Sequence, residues 1–479
     1  MNDKAPSGKP AKSRRRQRLG WQRMAIGLGA TAALGSAVLA VLANLSEIAG
    51  WFAPDETRDL VEQTREAVVD TDAKVNELLN LLRNQAAAAG VDLNIESEVA
   101  IRNAIQTIIA SANAQKQSAL AQLDDGNVAG AAEAMTRIAA NQETAVSATG
   151  EAAAATWREA GALYYSHNIA EAIHSYEQAL RLEPGNLDTI NMLGRSLLRG
   201  GRLQDASRIL QEGMALDASP AQRASLQTGL GEVAKQLGNY VTATEYFSAA
   251  FDIAKREKLD LEQVDALLGL GVTARATGNL DLAESHYVAA EAVARNTGND
   301  SLNAKIQTDL GVVEASRGNY DEAKRRIREA LEIHRARYNL AGQANTIGNL
   351  GAIALLEGEL DDAENLLLES VEIGEKLGWK ESIAYDLVNL GGIAKERKAF
   401  EAADQYLARA ELLSREADLA ELIPVIVFNR GEIALEQGDA ALACRFWREA
   451  EPVLTSMGSG HAETAVSRIA SADCLSQAE

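Results

Sequence analysis

The 479-residue chain predicts an all-α fold built of repeats, and three observations carry that expectation. The composition favours helix: 47% of residues are apolar but only 4% aromatic, 7 are Pro, and runs of Val, Ile and Thr are scarce beside abundant Ala. The length exceeds what one compact core serves, so the chain must divide into domains or repeat units. A glycine also recurs at a steady interval: Gly161, Gly194, Gly231, Gly271, Gly311, Gly351, Gly391 and Gly431 are 33, 37 and then five times 40 residues apart. A constant period of this size marks a repeat array.

Taken from the N-terminus, residues 1–23 form a basic tail. Eight Lys and Arg stand against Asp3, a net of +7, so the other residues hold −28 of the total −21. An acidic body of that size repels phosphate backbones and argues against a nucleic-acid partner. Residues 24–46 contain no charge and suffice for a single transmembrane helix, with Trp21 on one side and Trp51 with Phe52 on the other at interface positions. The alternative is a cleaved signal peptide, whose apolar core is ordinarily shorter. Basic residues precede the span and Glu47, Asp55, Glu56 and Asp59 follow it, which places the N-terminus in the cytoplasm and the body outside, periplasmic in a bacterium. Ala25, Gly29, Ala33 and Ala37 form a small-residue stripe along this helix, where two copies could approach.

Residues 55–86 carry Val61, Val68, Val75 and Leu82 seven apart, with Leu78 in the complementary position. Two readings fit: a short parallel coiled coil that makes a homodimer, or a lone amphipathic helix packed on its own body. The segment 86–94 breaks the thread. Residues 95–150 then read as a helical hairpin capping the array, one long helix over 96–123 and a shorter partner over 126–143.

Each repeat supplies the same parts. Twelve residues after the glycine stand Ala206, Ala243, Ala283, Ala323, Ala363, Ala403 and Ala443, with Ala172 eleven on in the first unit, small enough for two antiparallel helices to cross closely. Seven after it, Gly201, Gly238, Gly278, Gly318, Gly358 and Gly438 suit a helix end that needs φ > 0. Tyr240, Leu280, Tyr320, Leu360 and Phe400 follow as apolar staples for the second helix. The segment 461–475 has the length and pattern of a terminal capping helix.

The stretch WREAGALYYSHNIAEAIHSYEQALRLEP at 157–184 resembles the tetratricopeptide repeat, through Trp157, Gly161, Tyr164, Ala172, Tyr176, Ala179 and Pro184; Ala160 replaces the usual Leu and the turn is one residue short. The resemblance covers roughly 153–456, and the period of 40 is similar to the longer variety found in kinesin light chain, animal spindle-orientation adaptors and bacterial peptide-sensing regulators. It implies a right-handed superhelix, an α-solenoid of about eight hairpins, with the first helix of each unit on the concave side. It also implies that the array binds a protein or peptide, as a scaffold or adaptor or as a peptide-sensing regulator.

Chemistry is not signalled. The five histidines are scattered, no HExxH or Cys/His cluster exists, and the glycines form neither GxGxxG after a strand nor GxxxxGK[ST], so no metal, cofactor or phosphate cradle is expected. The acidic residues fall on faces expected to be solvated, and a non-enzymatic protein is expected. Cys444 and Cys474 form no metal-type spacing and read as two separate buried thiols, able to pair only if the body lies outside the cytosol. Binding is the better question. On the first helix of a repeat, residues six before, two before, one after and five after the glycine share a face. The entries there include Asp309, Asn345, Asn349, Tyr385, Asn389, Asn429 and Glu432. In the related long-repeat adaptors such asparagines hold an extended peptide by its backbone, which an amide suits because it donates and accepts. Here the residue after the glycine, often Asn in those adaptors, is Val272, Val312, Ala352, Gly392 or Glu432. A second reading, in which Asn349, Asn389 and Asn429 cap or cross-link neighbouring helices, stands beside the first.

Overall fold

In a computed structural model, residues 54–89, 93–144, 150–297, 299–417, 419–420, 422–456, 461–471 and 474 are described, with side chains from 69 onward. The expected membrane span at 24–46, the basic tail, the Ala25/Gly29/Ala33/Ala37 stripe and the side chains of Val61 and Val68 lie outside these residues. Among the described residues no helix is long and apolar enough to cross a membrane. The described residues fall into two compact units, 54–82 with 96–184, and 83–95 with 185–474.

The first unit holds most of α1 (Pro54–Ala88), then α2 (Ile95–Ala110), α3 (Ala114–Asp124), α4 (Val128–Thr144), α5 (Gly150–Tyr164) and α6 (Ile169–Leu182). On α1, Val75, Leu78, Leu79 and Leu82 are buried within the chain. Asn76 accepts a hydrogen bond from Arg102 on α2 (3.0 Å), and Lys74 pairs with Asp124 at the end of α3 (2.9 Å). Two of the four residues expected to face a second copy, Val75 and Leu82, are therefore consumed inside one chain, as the alternative of a helix packed on its own body requires. The single helix expected over 96–123 is also corrected. It breaks at 111–113, where Asn113 Oδ1 accepts from the Gln115 and Lys116 backbone N–H groups and Gln117 Nε2 donates to the Ile108 and Ser111 carbonyls, so both new helix ends are satisfied. Lys116 on α3 meets Glu159 on α5 at 2.5 Å, both buried.

The second unit is a row of seven hairpins: α7 (Leu187–Arg199) with α8 (Leu203–Met214), α9 (Pro220–Gln236) with α10 (Tyr240–Glu257), α11 (Asp260–Ala276) with α12 (Leu280–Thr297), α13 (Asp300–Ser316) with α14 (Tyr320–Ala336), α15 (Leu340–Glu357) with α16 (Leu360–Leu377), α17 (Lys380–Glu396) with α18 (Phe400–Glu416), and α19 (Ile423–Glu436) with α20 (Ala440–Ser456). The recurrent glycine sits where the two helices of each hairpin cross. A Cβ added at Gly194, Gly231, Gly271, Gly311, Gly351, Gly391 or Gly431 would stand 2.5–2.9 Å from Leu210, Phe247, Tyr287, Ile327, Leu367, Leu407 or Trp447 respectively, always the residue sixteen later on the second helix. The glycine makes room for that large side chain. The seven alanines twelve positions on are fully buried. The turn glycines have φ of +71° to +86°, and Lys398, in the repeat that lacks one, takes φ +59° instead, at a cost of roughly 1–2 kcal/mol. Of the staples, Tyr240 remains 37% exposed, whereas Leu280, Tyr320, Leu360 and Phe400 pack on the core.

The row ends in α21 (His461–Ser471), tied down twice. Arg468 forms a bidentate pair with Glu432 on α19 (3.0 and 2.7 Å). Cys444 on α20 is joined to Cys474 by a disulfide, with Cα atoms 5.4 Å apart. The expectation of two separate thiols is thus overturned: the α20–α21 hairpin returns the chain and brings together cysteines 30 residues apart.

Candidate functional site

Within the second unit, the first helices of successive hairpins approach one another, as α7 does α9, α9 does α11, α13 does α15, α15 does α17 and α17 does α19, while no comparable approach links the second helices. Closer spacing on one side bends the row toward that side, so the first helices line its tighter face. The positions six before, two before, one after and five after each glycine share one face of these helices.

The structure spreads the expected residues unevenly over this face. Asn345 is exposed and accepts a hydrogen bond from Asn349 Nδ2 (3.2 Å), one turn away on the same helix. Asn389 and Asn429 are half-buried and their side chains make no hydrogen bond among the described residues. None of the three asparagines two before the glycine cross-links a neighbouring helix, so their structural reading has no bond to rest on. Tyr385 is 41% exposed. Asp309 is half-buried, and after burial itself its carboxylate is the next cause holding the Tyr287 hydroxyl above its usual range. Glu432 is spent on Arg468 and serves the terminal cap.

The centre of the face is nearly neutral, with Glu396 its one charge. On α15 its entries are Asn345, Asn349, Ala352 and Leu356, and on α17 Tyr385, Asn389, Gly392 and Glu396; on α13 they include Lys305 and Asp309, and on α19 Glu432 and Glu436. A Cβ on Gly392 would meet nothing within 4 Å, and Leu356 is 62% exposed. Uncharged amides, small residues and two exposed apolar side chains suit an extended polypeptide, whose backbone needs hydrogen-bond partners and close approach.

Not every carboxylate is solvated, against expectation. Glu159, Glu314 and Asp386 are buried. Glu159 has Lys116, and Glu314 accepts from Asn319 Nδ2 (2.8 Å). Asp386 Oδ2 has no hydrogen-bond partner. A cavity of about 320 Å³ opens beside α14, α15 and α16, lined by Lys324, Arg328, Leu350, Glu359, Asp362 and Asn365. Its Lys324 is already held by Glu357 (2.7 Å). Among the described residues no cluster of His, Cys, Asp and Glu could hold a metal ion.

Models of the tetratricopeptide repeat match residues 163–230, 222–296, 262–336 and 302–376. These are tetratricopeptide repeats. No curated protein matches the sequence. Among solved structures, a Rap protein complexed with Competence and Sporulation Factor is similar at TM-score 0.50 and 14% identity, over 72% of this chain and 97% of that one. A signal-transduction ATPase of the STAND type, with a tetratricopeptide repeat sensor, from Pyrococcus horikoshii is similar at TM-score 0.50 and 11% identity, over 80% and 64%. At such identities the likeness is one of fold: an all-helical tetratricopeptide solenoid.

Proposed function

We propose that this chain is a non-enzymatic, membrane-anchored adaptor whose tetratricopeptide array, of the long 40-residue variety and wound as a right-handed superhelix, holds an extended segment of a partner protein outside the cytosol. The observation that carries the binding reading is the nearly neutral centre on α15 and α17, where Asn345, Asn349 and Asn389 offer amides among small side chains. The uncharged segment 24–46 supports the anchor. The Cys444–Cys474 disulfide supports the location, because structural disulfides persist outside the reducing cytosol.

The test is crosslinking in intact cells followed by mass spectrometry, with a variant carrying Asn349→Ala, Asn389→Ala and Asn429→Ala. The variant should keep its melting temperature and lose the crosslinked partner; lost stability with the partner retained would refute the reading. A C-terminal reporter active only in the cytosol would overturn the orientation.

A second reading, a peptide-sensing regulator, has its own observation. Asn84, in the segment 83–95, accepts a hydrogen bond from the Ala341 backbone N–H (3.3 Å) in the first turn of α15, so a ligand that shifts α15 acts on that link. The Rap protein, similar in fold, is complexed with Competence and Sporulation Factor, a precedent for a bound factor on such a solenoid. A sensor should shift its melting temperature with a short peptide, whereas an adaptor should co-purify with large partners.

A further inference from the structure

Two residues on α15 and α17, beside the face entries, depart from the repeat together. Five before the glycine, the repeats carry Leu226, Ala266, Ile306, Thr346 and Ile426, and then Asp386; three before it they carry Thr228, Leu268, Thr308, Val388 and Phe428, and then Gly348. The structure stacks the two exceptions. Asp386 Oδ1 stands 2.8 Å from where a Cβ on Gly348 would lie, so any larger residue there on α15 would push that carboxyl on α17 aside. Gly348 is only partly buried and brings no side chain of its own over the carboxyl.

The carboxyl is poorly provided for. Asp386 is 5% exposed and its Oδ2 has no hydrogen-bond partner. The Ser370 hydroxyl on α16 lies within reach, but it donates its one proton to the Ala344 carbonyl (2.9 Å). Gly348 and Ala344 from α15 and Ser370 from α16 carry no charge, and no charged side chain acts on Asp386 among the described residues. A carboxylate so placed must take up a proton or receive a cation from outside. The face entries of α15 and α17 contain no Lys or Arg, so the chain supplies none there.

We propose that Asp386 is the anchor for a cationic group of the bound peptide, a Lys or Arg side chain or a free N-terminus, admitted over Gly348 and flanked by the amides of Asn345, Asn349 and Asn389. This rests on the reading that the face holds a peptide, and it names what that peptide must carry. Burial pushes the Asp386 carboxyl up to about 7, so in the free chain a proton competes for the place of the cation. The cation displaces that proton, and affinity must rise with pH until the carboxyl is fully ionised.

The test pans a displayed library of random peptides against the full chain in detergent. Enriched peptides should share a Lys, an Arg or a dependence on the free N-terminus. Replacing that Lys or Arg by norleucine, or acetylating that N-terminus, should weaken binding about tenfold or more to the native chain and by less than about twofold to Asp386→Asn. Below pH 7 the native chain should lose up to about tenfold in affinity per pH unit, and Asp386→Asn none. A second variant, Gly348→Ser, closes the entry while keeping the carboxyl and should lose the same peptides. Melting temperatures of both variants verify folding. Enriched peptides without a cation, or an equal loss in Asp386→Asn, overturn the anchor alone; failure to enrich any peptide overturns the proposed function with it.

Discussion

Reducing the Cys444–Cys474 bond should loosen the terminal cap while leaving the rest of the array intact. The bond closes a loop of 30 residues, for which chain entropy assigns a stabilisation of about 3.6 kcal/mol. Repeat arrays open locally, so this should be read at the end of the row and not in a global midpoint. The opening constant of α20 and α21 should rise about 400-fold. Hydrogen exchange on the native chain and on Cys444→Ser/Cys474→Ser measures it directly: protection should drop across 440–471 and hold across 260–360. The pair Arg468–Glu432 remains in the variant, so the cap should open without being lost. Equal protection with and without the bond would refute the reasoning, as would free thiols in protein taken from its native compartment.

Other outcomes follow from the same geometry. Gly351→Ala places a Cβ 2.8 Å from Leu367 Cγ and should cost about 1–3 kcal/mol by urea denaturation, while Gly392→Ala, in open space, should gain about 0.5–1 kcal/mol from helix propensity. His334 is held down at about 4, chiefly by burial and then by Arg83. Its folded value lies below its unfolded one, so it contributes stability above about pH 6.5 that is lost as pH falls towards 4, on the order of 3 kcal/mol, and a His334→Gln chain should lack that slope in melts. Lys116→Met strands the buried Glu159 and should cost about 3–5 kcal/mol, most of it recovered in Lys116→Met/Glu159→Leu.

Much of this was legible in the sequence because it repeats. The period placed each glycine, the buried alanines and the positive-φ turns without any coordinate, since the same local physics recurs in every unit. What escaped lay off the period. The break at 111–113 carries no Gly or Pro; Asn113 and Gln117 make it by side-chain capping. The disulfide joins residues with no shared motif, brought together only when α21 folds back. Glu432 looked like a face residue until Arg468, from beyond the last repeat, claimed it. Asp386 could have been found, because position arithmetic sets it among Ile306, Thr346 and Ile426, where a carboxylate does not belong. Its cover by Gly348 required the neighbouring helix.

The pairing of each array glycine with the residue sixteen later has a consequence for how the molecule can be made and altered. The contact that sets every crossing is closed within a single hairpin, over a stretch short enough to form early and quickly as the chain emerges. No repeat waits on a distant one for its own geometry. A 40-residue block could therefore be duplicated or excised anywhere in phase between 231 and 431 and leave every remaining glycine facing its own partner. The array can change its reach by whole units, and with it the length of polypeptide it spans, without a new crossing having to be invented.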